Sequence, residues 1–267
     1  MSTAKEVKYL FIDGACLDDI LTRIGKEFFN GEKIELRYER LAEFYDKVFY
    51  YDALPHQKKG ESNDTFNQRL SEKENFLNEL KLLDKFHVYE GVVFERKEKL
   101  TQKAVDIMIA VDMLRHSFRR NMNRATLLTG DMDFKPLVDA LIQEGMFTTI
   151  LFDPRNTSKE LLYASDSNQV LSLTNLYNYA TNNFREKYPV PKLSQIHRSE
   201  MQKDSGFNLT KQGVFNNEQI LLYFNGTEYT VIFKQKNNPN IIGTFNNEEY
   251  LLKWVEYEYN GKIIWKK

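Results

Sequence analysis

The chain has 267 residues, with 37 Lys and Arg against 38 Asp and Glu, so its net charge of −1 argues against a uniformly basic nucleic-acid-binding surface. A hydrophobic content of 42% allows a sizeable core and excludes global disorder, collagen and a coiled coil. The longest plain apolar run, 107–111, is far shorter than the ~20 residues of a membrane span. The apolar stretch near the start stops at Asp13, too early for a signal peptide. We therefore expect a cytoplasmic protein that does not contact a membrane.

The first 185 residues alternate between short apolar runs and segments with helical spacing. The predicted strands are 8–12, 47–52, 86–94, 124–129 and 147–152, and the predicted helices are 17–29, 70–83, 105–118, 134–144 and 158–164. Strands joined by helical crossovers form a parallel sheet with helices on both faces. The pattern therefore predicts a doubly wound α/β domain over 1–185.

The composition changes after about residue 185. The polar stretch 186–215 is predicted to be a linker, and 216–267 a small antiparallel β module with turns at Asn225–Gly226 and Asn260–Gly261. The run 250–259 is read as part of this β pattern. A module of ~50 residues is marginal alone, so we expect it to pack on the first domain or on a partner. The sequence leaves open whether this module binds a second copy of the chain or another protein.

Aspartates directly follow two of the predicted strands. Asp13 comes after the first strand, and Asp131 and Asp133 come after the fourth. In a doubly wound sheet, the ligand site lies beyond the carboxyl ends of the strands, where the strand order reverses. The first and fourth strands would be neighbours there, and the helix that carries Asp106 would start at the same rim. We therefore expect four carboxylates to converge in one pocket.

Four carboxylates in one pocket repel each other and raise each other's pKa unless a cation is present. Oxygen ligands without His or Cys suit Mg²⁺ or Mn²⁺ better than zinc. The alternative is structural, because Asp often begins turns and caps helices. On that interpretation Asp133 and Asp106 are caps at the starts of their helices. Spacing alone leaves both interpretations open.

Several segments resemble the NYN domain family, a branch of the PIN-like metal-dependent nucleases. The segments are FIDG at 11–14, KAVDI at 103–107, AVD at 110–112, LTGDMDFKPL at 128–137 and SKELL at 158–162. The likeness covers roughly residues 7–180, and the GDxDF block combined with KxVD is its most specific part. The resemblance implies a PIN-like fold and cleavage of RNA with Mg²⁺ or Mn²⁺.

The resemblance assigns metal binding and catalysis to Asp13, Asp106, Asp131 and Asp133. The chain departs from the family at Cys16, where the family commonly has Asn. A thiol donates a hydrogen bond only weakly, so this change puts the ordering of Asp13 in question. We favour Cys16 as a small buried apolar residue.

Two further residues are expected to support the four aspartates without holding the cation. Asp112 lies six residues after Asp106, on another side of the same helix. Thr129 belongs to the block that contains Asp131. Cys16 is placed with these two supporting residues.

Basic residues lie around the predicted site. Their cationic side chains bind phosphates without regard to sequence. The candidates for nucleic-acid binding are Lys103, Lys135, Arg119, Arg120 and Arg124. Lys103 and Lys135 are close in sequence to proposed cation ligands. For the three arginines, the alternative interpretation is a solvated helix face that does not bind nucleic acid.

The sequence thus favours a metal-dependent endoribonuclease. The alternative is a non-catalytic module that binds RNA or a protein, which the Cys16 departure supports. Other phosphohydrolase classes fit less well, because haloacid-dehalogenase-like enzymes need Asp-x-Asp after the first strand and Toprim-like proteins need a Glu there. Asp13 is instead followed by Gly14 and Ala15. No GxGxxG or Walker A pattern is present.

Overall fold

The computed structural model describes residues 6–91, 94–96, 99–101, 103–196, 208–235 and 238–266. The side chains at 94–104, 235 and 238 are outside this description. The chain divides into two compact units, Met1–Thr181 and Asn182–Lys267. Each unit is described by itself below.

The first unit is built on a six-stranded parallel sheet. The strands of this unit are β1 Lys8–Asp13, β2 Lys47–Ala53, β3 Phe86–Gly91, β4 Phe94–Arg96, β5 Lys99–Thr101, β6 Arg124–Leu128, β7 Phe147–Phe152 and β8 Ser167–Val170. The sheet order is β3-β2-β1-β6-β7-β8, and β4 and β5 form a separate antiparallel pair. All five pairings in the sheet are parallel. The strand order reverses between β1 and β6, which confirms the predicted doubly wound sheet and the adjacency of these two strands.

Helices connect the strands of the first unit. They are α1 Gly14–Phe28, α2 Tyr38–Leu41, α3 Asn63–Lys81, α4 Lys103–Phe118, α5 Lys135–Gln143, α6 Lys159–Ala164 and α7 Leu173–Tyr179. A 3₁₀ turn at Met132–Phe134 precedes α5. Among the described residues, no helix is both long enough and apolar enough to cross a membrane.

Both faces of the central strands β1, β2, β6 and β7 are buried, as their continuous apolar runs predict. On one face, strand residues pack with α4 and α5 in a single core cluster that includes Phe11, Phe49 and Ile109. On the other face, α1 contacts β1 and β2, and α3 contacts β3. The ring of Phe76 in α3 lies 5.9 Å from that of Tyr50 in β2. The helices therefore leave the carboxyl ends of the strands as the open edge of the domain.

The second unit is a six-stranded antiparallel sheet with one longer helix. Its elements are α8 Asn182–Lys187, β9 Lys192–Ile196, β10 Asn208–Phe215, β11 Glu218–Phe224, β12 Tyr229–Gln235, β13 Asn238–Phe245, α9 Glu248–Glu258 and β14 Ile263–Trp265. The sheet order is β14-β10-β11-β12-β13-β9. This sheet confirms the predicted antiparallel module, and the hairpin between β11 and β12 turns at the predicted Asn225–Gly226.

Two details of the second unit differ from the sequence interpretation. The range 186–215, read as a linker, contributes β9 and β10 to the sheet. The run 250–259, read as part of the β pattern, lies mostly in helix α9. Leu251, Trp254 and Val255 are buried at helical spacing. Asn247 caps this helix by accepting a hydrogen bond from the Tyr250 backbone N–H at 2.8 Å.

Candidate active site

A cavity of about 490 Å³ opens at the carboxyl ends of β1, β2 and β6, where the strand order reverses. This cavity is called the acidic pocket below. No Lys or Arg is among the described residues that line it. The carboxylates that line it are Asp13, Asp19, Asp52, Asp106 and Asp131. The pocket therefore concentrates negative charge at the point where a doubly wound sheet binds its ligand.

Asp13 is the best-oriented carboxylate of the acidic pocket. It is the last residue of β1 and caps α1, where its Oδ1 accepts a hydrogen bond from the Cys16 backbone N–H at 3.2 Å. Its Oδ2 accepts from the Thr129 hydroxyl at 3.1 Å. Burial raises the pKa of Asp13 to about 6, although both hydrogen bonds oppose the shift and the charges of Asp106 and Asp52 add to it. Asp13 is thus fixed in position while its negative charge is poorly compensated.

The turn after β6 brings in Asp131. Its backbone N–H donates to Thr129 Oγ1 at 3.3 Å, and its own Oδ1 accepts from the Asp133 backbone N–H at 2.9 Å. Asp131 therefore caps the 3₁₀ turn, and the capping role suggested for Asp133 is wrong. Asp133 is exposed and is not among the described residues that line the pocket.

Asp106 joins the cluster from the first turn of α4, as the sequence predicts. Its pKa is raised by burial and by the negative charges of Asp131 and Asp133. This mutual repulsion indicates that the three carboxylates are electrostatic neighbours, with Asp133 at the edge of the group. The structure thus brings together Asp13, Asp106 and Asp131 in one pocket.

The three supporting candidates have different surroundings. Thr129 is fully buried and links Asp13 to the backbone of Asp131 through one hydroxyl. Cys16 lines the pocket, and burial raises the pKa of its thiol to about 12. Because its backbone N–H holds Asp13, the change from Asn to Cys leaves that hydrogen bond in place. Asp112 is buried away from the pocket lining and accepts from the Tyr51 hydroxyl at 3.0 Å.

Lys135 is the basic candidate nearest to the acidic group in the chain. It begins α5, two residues after Asp133, and its Nζ lies 2.6 Å from Asp139 Oδ2. Lys103 begins α4, but its side chain is outside the described part of the structure.

Three predicted arginines lie away from the acidic pocket. Arg119 and Arg120 follow the carboxyl end of α4, whereas Asp106 is in its first turn. Arg124 begins β6 at the amino edge of the sheet, where it pairs with Glu6 at 2.7 Å. The structure therefore does not bring these arginines together with the aspartates.

Sequence reasoning missed Asp52 and Asp19. Asp52 is the next-to-last residue of β2, a neighbour of β1, so the strand-end argument that selected Asp13 also applies to it. Asp19 lies on α1 and accepts a hydrogen bond from Asn156 Nδ2 at 3.3 Å. Only the fold reveals that this helix turns Asp19 toward the pocket.

The donor chemistry of the pocket fits a hard divalent cation. The acidic groups that line it are aspartates only, the oxygen ligands that Mg²⁺ and Mn²⁺ prefer. Among the described residues, no three His, Cys, Asp or Glu side chains are grouped closely enough to hold a metal by themselves. Mg²⁺ is commonly held by one or two carboxylates together with waters, so the pocket meets its requirements.

A doubly wound parallel sheet with carboxylates at its switch point defines the class of this protein, an α/β domain with an acidic pocket at the carboxyl ends of its strands. The family model of the NYN domain matches residues 10–173. The chain therefore belongs to the NYN domain family, and the resemblance inferred over roughly 7–180 is confirmed.

Solved structures give weaker likenesses. A protein of unknown function from Vibrio parahaemolyticus is 17% identical with a TM-score of 0.48, over 65% of this chain and 97% of that one. An oxidoreductase from Sinorhizobium meliloti is 13% identical with a TM-score of 0.30, over 90% of this chain and 65% of that one. No curated protein is a significant match to this chain.

Proposed function

We propose that this protein is a metal-dependent endoribonuclease whose site is built on Asp13, Asp106, Asp131 and Asp133. The supporting observation is the convergence of carboxylates from β1, α4 and the turn after β6 in one pocket at the switch point of the sheet. Membership of the NYN family supports RNA as the substrate. The aspartate carboxylates of the pocket support Mg²⁺ or Mn²⁺ as the cofactor.

In this mechanism the chain contributes position and charge. Thr129 and the Cys16 backbone N–H hold Asp13, while Asp106 and Asp131 face the same space. Asp13, Asp106 and Asp131 would hold a Mg²⁺ or Mn²⁺ ion, which would supply activation of a water and polarisation of a phosphoryl oxygen. The water would lose a proton and add to the phosphorus in line, the bond to the 3′ oxygen would break, and that oxygen would take up a proton from solvent, which would leave a 5′-phosphate and a 3′-hydroxyl. No covalent enzyme intermediate forms, so catalysis depends on positioning and charge neutralisation.

Lysines beside the acidic group are proposed to hold the RNA backbone. Lys135 is two residues from Asp133, and Lys103 precedes Asp106 by three. Both are proposed to contact phosphates near the cleaved bond. Arg119, Arg120 and Arg124 lie at the other edge of the domain, so their proposed contacts are to RNA farther from that bond. Such contacts contribute affinity rather than chemistry.

The test is cleavage of labelled single-stranded RNA, hairpin RNA, tRNA and single-stranded DNA with Mn²⁺, Mg²⁺ or EDTA. Asp131→Asn is the test variant, because it removes one charge from the pocket without changing side-chain size. Asp84→Asn is the matched control, because Asp84 is exposed beside the amino end of β3, at the opposite edge of the sheet. We expect cleavage of RNA that requires metal, persists in Asp84→Asn and is lost in Asp131→Asn.

Two results would count against the proposal. Full activity of Asp131→Asn would contradict a mechanism based on these aspartates. Absence of cleavage in every reaction, with the wild-type fold intact, would favour the alternative of a non-catalytic module that binds RNA or a protein. Cys16→Asn would then test whether the family's usual residue restores cleavage.

A further inference from the structure

Lys73 of helix α3 reaches the wall of the acidic pocket. Its ammonium forms an ion pair with Asp52, whose side chain is only 5% exposed, while the Lys73 side chain is 21% exposed. A carboxylate this deeply buried is costly without a partner of opposite charge. Lys73 therefore supplies positive charge to the pocket from behind its wall.

The hydrogen bonds of Asp52 differ in kind from those of Asp13. Oδ1 of Asp52 accepts from the Ala53 backbone N–H at 2.8 Å, and Oδ2 accepts from the Tyr50 hydroxyl at 3.3 Å and from Lys73. Asp13 accepts its two described hydrogen bonds from an uncharged backbone N–H and an uncharged hydroxyl. A cation that approaches Asp52 therefore competes with a full positive charge, whereas one that approaches Asp13 does not.

The ion pair also separates two cavities. Asp52 lines the acidic pocket, Lys73 lines a second cavity of about 400 Å³, and Ala53 lines both. On the pocket side, the carboxylate is packed against the start of α1, since a Cβ on Gly14 would lie 2.7 Å from Asp52 Oδ2. Displacement of Asp52 would therefore disturb the backbone next to Asp13.

We propose that Lys73 is a positioning residue of the acidic pocket, which holds Asp52 in the wall and withholds it from the catalytic cation. This inference rests on the proposed function, in which the cation binds beside Asp13, Asp106 and Asp131. Asp52 then fixes the β1–α1 junction without adding a ligand, and Lys73 cancels its charge.

The test measures binding of Mn²⁺ alone to the full chain at pH 7.5, from the electron paramagnetic resonance signal of free Mn²⁺. Lys73→Met releases an uncompensated carboxylate beside the cation, so we expect Mn²⁺ to bind about fivefold more tightly, the scale of one added negative charge close to a divalent cation in water. Asp52→Asn leaves the Lys73 ammonium uncompensated, so we expect binding about fivefold weaker. The double variant removes both charges and should return to the wild-type affinity.

Lys81→Met is the matched control. Lys81 is on the same helix and pairs with the partly exposed Glu90 at 2.5 Å, but it is not among the residues that line the acidic pocket. It should bind Mn²⁺ as the wild type does, and so should Lys73→Arg, which keeps the charge. Thermal unfolding of each variant with and without Mn²⁺ checks that the fold is present, and the Mn²⁺-induced rise in Tm should be largest for Lys73→Met.

The outcomes separate this inference from the proposed function. An unchanged Mn²⁺ affinity in Lys73→Met and in Asp52→Asn would overturn the inference, while loss of Mn²⁺ binding in Asp13→Asn would still support the nuclease site. Absence of Mn²⁺ binding by the wild-type protein would overturn both. If Lys73→Met does not fold, the other two variants test the inference. Charge compensation predicts weaker Mn²⁺ binding in Asp52→Asn and a return to the wild-type affinity in the double variant.

Discussion

At the scale of single residues, the charge of Asp13 that the proposed function needs also destabilises the folded protein. The residue is 9% exposed, and its neighbours include other carboxylates. The hydrogen bonds from Thr129 and the Cys16 backbone orient the charge but do not neutralise it. An ionised Asp13 is therefore a cost to the folded protein when no cation is bound.

Asp13→Asn should stabilise the protein in EDTA at pH 7.5 while it removes cleavage. The pKa of Asp13 is raised to about 6 in the folded state from a usual value of 3.8. Folding therefore favours the protonated form of Asp13. The contribution of this group to the free energy of unfolding is complete below about pH 3.8 and is lost as the pH rises through about 6. We expect the variant to exceed the wild type by about 3 kcal/mol at pH 7.5 and by about 1 kcal/mol at pH 4.5.

Urea unfolding at the two pH values measures this difference in the free energy of unfolding. Asp84→Asn, which removes an exposed carboxylate at the opposite edge of the sheet, is the control and should have a free energy of unfolding close to that of the wild type. An Asp13→Asn protein that is less stable than the wild type at both pH values would contradict the argument.

At the scale of elements, the junction of β1 and α1 builds the site. Gly14 follows Asp13 and is the first residue of α1. A Cβ on Gly14 would lie 2.7 Å from the Tyr51 carbonyl oxygen and 2.7 Å from Asp52 Oδ2. Contacts this short leave no room for a side chain, so the glycine is required by the close approach of β2 to the start of α1.

Gly14→Ala should therefore destabilise the protein and reduce cleavage together. The added methyl group pushes β2 and α1 apart, at a cost of about 2 kcal/mol for an overpacked buried site. Urea unfolding and the rate of RNA cleavage measure the two effects. Lys26→Ala, at an exposed position of the same helix, is the control and should change neither. A Gly14→Ala protein with wild-type stability would show that the junction is looser than these contacts indicate.

At the scale of the whole molecule, the chain contains two units with separate sheets. The first unit has a core between the parallel sheet and its helices, and the second has a core that includes Phe233, Leu251 and Val255. The aspartates of the acidic pocket all belong to Met1–Thr181. The proposed chemistry is thus contained within one unit.

A chain that ends at Thr181 should fold cooperatively and keep metal-dependent cleavage. Its sheet, helices and acidic pocket are complete within that range. Urea unfolding followed by circular dichroism, with cleavage of the best RNA substrate, checks both expectations. A shortened chain that folds but no longer binds RNA would assign substrate recognition to residues 182–267, and one without cooperative unfolding would contradict independent folding.

Strand-end reasoning predicts two of the five carboxylates that line the pocket. Asp13 and Asp131 were predicted to converge because each directly follows a strand and the two strands are adjacent in a doubly wound sheet. Asp52 also lies at the carboxyl end of a strand, so the same argument could have selected it, but its burial is not visible in the local sequence. Its burial and its pairing with Lys73 depend on α3, which is distant in sequence from the rest of the pocket.

The second unit shows the same limit for secondary structure. The run 250–259 is rich in aromatic residues, which favour strands, but it lies mostly in a helix because Leu251, Trp254 and Val255 are buried on one side of it. Tertiary burial overrode local preference there. The sequences of β9 and β10 are mostly polar. β9 forms a strand by pairing with β13 at the edge of the sheet, and β10 forms one by pairing with β11 within the sheet.

The sequence by itself determined the class of fold, the family and three of the carboxylates that share the pocket. Apolar periodicity and residues at strand ends are local signals, and parallel strands with helical crossovers have few possible arrangements. Only the tertiary structure decided which side chains meet: Asp52 with Lys73, Asp13 with Thr129, and the arginines at the far edge. Those contacts join residues distant in sequence, and their distances and burial are properties of the packed chain alone.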